Sequence, residues 1–156
     1  MKNLQTVDCI KSIVTLFSDK FNRSFNTTFT SDRFGTSLSL NHQGNRIAVG
    51  VPRDDDGGTD RGSVIVYQYN SSTSSWDNIG QVVGKQNSAY FGFGVKMNKA
   101  GDRFVASAPY DDQVGSNRGT MRVYQYGGGT TWNQVGADMG GSVSYTHLTL
   151  PTRLSV

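Results

Sequence analysis

The chain has no glutamate; all 12 of its acidic residues are aspartate. Its single cysteine, Cys9, excludes an internal disulfide and leaves the redox compartment open. His42 and His147 are the only histidines, and His42 falls in a turn. No Ser/His/Asp spacing, metal-binding His pair or Cys/His set is present, so the chain reads as non-enzymatic. The longest apolar stretch near the start, residues 9–17, is broken by Lys11. It falls short of the roughly 20 residues that a bilayer span takes. No small-residue cleavage site follows it, so no signal peptide is read there.

Straight-chain helix formers are scarce, whereas 19 glycines accompany short runs of Val, Tyr, Phe and Thr. That balance favours strands joined by tight turns. The net charge of +3 comes from the ends: residues 34–141 carry nine Lys/Arg and nine Asp. With no dense basic run, nucleic-acid binding is not expected.

The strongest signal is an internal repeat. Phe34-Gly35-Thr36-Ser37-Leu38 aligns with Phe91-Gly92-Phe93-Gly94-Val95 at an offset of 57. The same offset aligns Gly44-Asn45-Arg46-Ile47-Ala48-Val49 with Gly101-Asp102-Arg103-Phe104-Val105-Ala106. It also aligns Arg61-Gly62-Ser63-Val64 with Arg118-Gly119-Thr120-Met121, and drops to 56 at Trp76 and Trp132. A period of this length marks units that bury their faces against one another.

Each unit offers four strands. They are expected at residues 36–40, 46–51, 63–69 and 77–83, then at 93–97, 103–108, 120–126 and 133–139. The segments between them carry turn chemistry. Residues 47–51 and 104–108 are apolar on both faces, as in a strand covered from both sides. The third strand divides Val64, Val66 and Gln68 from Ile65, Tyr67 and Tyr69. An all-β fold follows, with two four-stranded antiparallel blades of an incomplete β-propeller. A two-sheet sandwich is the plain alternative.

The paired motifs carry a resemblance. Phe34-Gly35 leads to Gly50-Val51-Pro52, and Phe91-Gly92 leads to Ser107-Ala108-Pro109. Residues of about 31–141 thus resemble the FG-GAP, integrin α-like repeat family. The resemblance implies a propeller, usually seven-bladed, in extracellular or cell-surface proteins that mostly bind a protein or carbohydrate ligand. It also implies missing propeller blades as partners. The expected role is a non-enzymatic binding or scaffold module. The alternative is part of a glycan-processing enzyme whose catalytic residues lie on the missing blades.

Many family repeats place an Asp-rich calcium loop in the first hairpin. Here residues 41–45 have no carboxylate and residues 98–102 only Asp102, so that site is not carried over. Another candidate for calcium is the run from 54 to 60, through Asp54, Asp56 and Asp60; a solvated loop is its plain alternative. Arg61 and Arg118, just before the third strand, are expected to pair with a loop Asp. Trp76 and Trp132 are expected as packing plugs between blades.

The units divide into a first blade at 31–84 and a second at 85–141. Residues 1–30 are read as a separate N-terminal segment, either a short helix or a strand of a preceding blade. Residues 142–156 read as a non-native tail, because 143–152 resemble a translated sequencing adaptor.

Overall fold

The computed structural model describes residues 32–113, 115–116 and 118–141. The readings made for residues 1–30 and for the tail lie outside them. Eight strands follow in chain order: β1 (Ser37–Leu40), β2 (Arg46–Val51), β3 (Ser63–Asn70), β4 (Ser75–Val83), β5 (Gly94–Met97), β6 (Arg103–Ala108), β7 (Thr120–Gly128) and β8 (Thr131–Gly140). They form two antiparallel sheets, ordered β1-β2-β3-β4 and β5-β6-β7-β8. The all-β, two-sheet expectation is met. None of the described residues forms a helix long and apolar enough to cross a membrane.

The local reasons repeat between copies. The β1–β2 turn closes on Asn41, whose Oδ1 accepts from the backbone N–H groups of Asn45 and Arg46, each at 3.0 Å. In the second sheet Asn98 Oδ1 accepts from Gly101 N at 3.0 Å and Arg103 N at 3.1 Å. An Asn at the head of each turn thus satisfies donors that the ladder leaves over.

Alternation then sorts the side chains. From the first sheet, Ala48, Val64 and Val66 join Phe91, Phe104, Ala106, Tyr124 and Trp132 in one core between the sheets. The opposite face of the first sheet gathers Ile47, Val49, Val51, Ile65 and Tyr67 into a second buried cluster. Double-sided burial therefore holds in the first sheet. It holds only partly in the second, where Val105 and Val123 are half-buried and Met121 is 49% exposed.

The sheets approach closely because small residues meet. A Cβ at Gly50 would collide with the Gly92 carbonyl oxygen, and Gly92 itself has φ +87°, which a side chain would strain. Polar contacts fix the register: Ser37 Oγ donates to Gly92 O at 2.8 Å, and Met97 N donates to Ser39 Oγ at 3.0 Å. Trp132 is buried, and its Nε1 donates to Ile79 O across the interface at 3.1 Å. It packs between the sheets as expected, while Trp76 packs against the second cluster.

Candidate functional site

At one end of the stacked sheets, the connection from β4 to β5 is clamped between two loops. Ser88 N donates to Thr59 O at 2.9 Å, and Phe91 N to Arg61 O at 2.9 Å, on the β2–β3 loop side. From the other side Tyr110 N donates to Ala89 O at 3.4 Å, and Asp112 N to Gln86 Oε1 at 3.0 Å. These three segments, joined by Arg33 from the stretch ahead of β1, border one open groove of about 660 Å³. That volume falls in the range of small-ligand sites.

Four of the groove residues occupy two repeat positions. Arg33 and Tyr90 each precede the Phe-Gly pair, and Arg53 and Tyr110 each follow the Pro. The first copy thus supplies two guanidinium groups and the second two phenol rings. Tyr90 and Tyr110 meet edge to face with centroids 5.3 Å apart, and the Arg53 guanidinium lies 5.8 Å from the Tyr90 ring centre. Arg33, Ser88 and Tyr90 have φ of 55°, 57° and 54°. Left-handed backbone costs a non-glycine residue about 1–2 kcal/mol, and such residues collect where structure serves a site.

The 54–60 run lies on the β2–β3 loop. Asp54 Oδ2 accepts from Ser63 Oγ and from Gln81 Nε2, the latter at 2.9 Å; the same Gln81 amide reaches Asp56 Oδ2 at 3.0 Å. Asp60 is held differently: its backbone N–H donates to Asp55 Oδ1 at 2.7 Å. Asp54 and Asp56 are therefore drawn together by a protein amide, and Asp60 is not part of that set. Among the described residues no group of three or more His, Cys, Asp or Glu side chains is arranged to hold a metal ion. The run does act electrostatically. Burial, and then the charges of Asp54, Asp55, Asp56 and Asp60, raise the pKa of Asp32.

Arg61 corrects one expectation. Its Nε donates to Asn87 Oδ1 at 2.7 Å, so it ties the β2–β3 loop to the inter-sheet connection instead of pairing with a loop Asp.

Beside the groove runs an ionic network that sequence reasoning missed. Arg122 is fully buried on β7 and donates to the buried Asp111 and, at 2.9 Å, to Asp138 Oδ2. Lys85 reaches Asp138 Oδ1 at 2.9 Å from the inter-sheet connection. Burial alone would raise the pKa of Asp138. Hydrogen bonds from Lys85, Gln134 and Arg122 outweigh that and lower it to about 2.

A group depressed in the folded state stabilises above its unfolded pKa and loses that contribution as pH falls through the folded one. The Asp138 contribution is thus expected to be complete above about pH 4 and lost toward pH 2. Asp32 works in the opposite sense, since its raised pKa makes its ionised form the less favourable one in the fold. Urea midpoints measured from pH 5 to pH 2 check this. Asp138→Asn is expected to flatten the low-pH part of the profile.

No curated protein matches the chain. Residues 28–67 match the family model described as FG-GAP repeat. The match covers β1, β2 and most of β3, and the second sheet repeats the same four-strand order at an offset of 57, an arrangement consistent with propeller blades.

Proposed function

We propose that this chain is a non-enzymatic binding module, a portion of an FG-GAP-type β-propeller that offers the loop end of its sheets to a protein or carbohydrate partner. One observation carries the reading. Among the described residues, the only exposed aromatic side chains are Phe93 at 52% and Tyr110 at 57%, and both line the groove. Exposed rings beside arginines are the composition of binding hot spots. The test is a screen of the full chain against immobilised proteins and immobilised glycans. A specific hit that weakens by about ten-fold or more in Tyr110→Ala is the expected result. Absence of hits, or hits indifferent to groove substitutions, contradicts it.

The scaffold part of the proposal rests on register. Met121 pairs with Met139 on the second sheet as Val64 pairs with Val82 on the first. Val64 and Val82 pack in the core between the sheets. Met121 and Met139 remain 49% and 44% exposed. A further sheet of the same kind is the partner that this face fits, and the missing blades would supply it. The chain alone is expected to self-associate through the face, because exposed apolar area of this kind seeks cover. Sedimentation velocity should show concentration-dependent association that Met121→Lys reduces. A monomer at all concentrations would contradict the assignment.

A further inference from the structure

We infer that the groove at the loop end of the two sheets takes a neutral oligosaccharide, with a sugar ring laid against Tyr110 or Phe93; this rests on the reading of the loop end as the binding end. The groove joins two features that sugars need together. A pyranose has an apolar C–H face and a rim of hydroxyl groups. Exposed aromatic rings cover the first, and planar polar side chains with fixed orientation meet the second.

The rings are accessible by the exposures given above. Tyr110 is braced by its edge contact with Tyr90, so little rotamer freedom is left to lose on binding. The polar rim is fixed by the protein's own hydrogen bonds. Gln86 Oε1 accepts from Asp112 N, and Asn87 Oδ1 accepts from Arg61 Nε. Each amide oxygen thus holds one protein donor, which fixes the plane of the amide, and the attached NH₂ group is a donor of the kind that ligand hydroxyls accept. Arg33 adds further planar donors to the lining.

Charge argues for a neutral ligand. Arg33 and Arg53 share the groove with Asp112, and each arginine has an aspartate as its chain neighbour, Asp32 and Asp54. An anionic glycan would gain from two guanidinium groups and lose against a larger set of carboxylates. The openness of the groove argues against an apolar peptide side chain, whose binding energy comes from a closed, desolvated pocket. The repeat also separates framework from recognition. The Phe-Gly and Pro positions recur in both copies, while the positions beside them change from Arg33 and Arg53 to Tyr90 and Tyr110.

The experiment is calorimetric titration of the full chain with neutral hexasaccharides of β-glucan, mannan, xylan and galactan type, in the wild type, Tyr110→Ala and Phe93→Ala. Both substitutions sit at exposed positions, and urea unfolding verifies that each variant is folded. Binding of at least one oligosaccharide, weakened about ten-fold by Tyr110→Ala or Phe93→Ala, is expected. The inference is overturned if no oligosaccharide binds, or if binding ignores both substitutions. If instead the chain captures a protein ligand in a Tyr110-dependent way, the loop end remains the binding end and the sugar assignment falls.

Discussion

Replacing Arg122 by alanine is expected to destabilise the chain by about 3–5 kcal/mol in urea unfolding, the range for breaking a buried ion pair from one side. The Arg122 side chain is 1% exposed and that of Asp111 is 0%. Burial alone would lower the pKa of Arg122, but hydrogen bonds and charge from Asp111 and Asp138 raise it above its ordinary value, so the group stays a cation. Alanine would leave the Asp111 carboxylate in the interior without its counter-charge, and that uncompensated charge is the main cost. The control follows from the same reasoning. Adding Asp111→Leu to Arg122→Met removes both charges and restores apolar volume, and should recover most of the loss. A variant as unstable as Arg122→Ala would show that the pair contributes more than charge compensation.

The second large effect concerns Phe91. Phe91→Ala is expected to cost about 3–5 kcal/mol, the range for a fully buried aromatic. Phe91 is 0% exposed, sets its ring edge to face with Tyr124 at 5.9 Å, and lies under the Arg122 guanidinium at 5.9 Å. Its backbone forms a parallel bridge with Gly62, so the residue joins the inter-sheet connection to the first sheet. Phe34 stands at the same repeat position and meets Tyr67 edge to face at 6.5 Å, but is only half-buried. Phe34→Ala is therefore expected to cost less. Equal losses at the two positions would contradict the burial difference.

The strands could be read from the chain because their signals are local. The bounds expected from sequence for residues 46–51 and 103–108 coincide with those of β2 and β6, since an Asn-headed turn precedes each and a Pro follows each. The fourth strand of each unit begins earlier than expected, at Ser75 and Thr131, because cross-strand pairing carries the ladder past the Trp into turn-like sequence. The division of Val64 and Val66 from Ile65 and Tyr67 was visible in alternation alone.

Arg122 was not legible. A lone Arg in a strand reads as a solvent-facing charge, and its first-copy equivalent is Ile65. Its burial depends on Asp111 from the β6–β7 loop and on Asp138 from β8, and sequence does not show that they converge. The groove is equally hidden, because three loops and the segment ahead of β1 build it. One signal could have pointed there: the Arg-to-Tyr exchange at positions 33/90 and 53/110, inside an otherwise repeated frame. The 54–60 run is legible as a row of carboxylates, but the hydrogen bonds of Asp54 and Asp56 to Ser63 and Gln81 are not, because only the folded sheet brings those partners near.

The groove, the ionic network and the exposed second face all depend on how the two sheets lie against each other. The indole N–H of Trp132 reports on this directly, since it donates to Ile79 O from the opposite sheet, beside Gly80. Proton NMR of the full chain should show that indole resonance protected from exchange, with Overhauser contacts to the backbone protons of Ile79 and Gly80. A rapidly exchanging indole with contacts only to its own sheet would contradict the stacked arrangement.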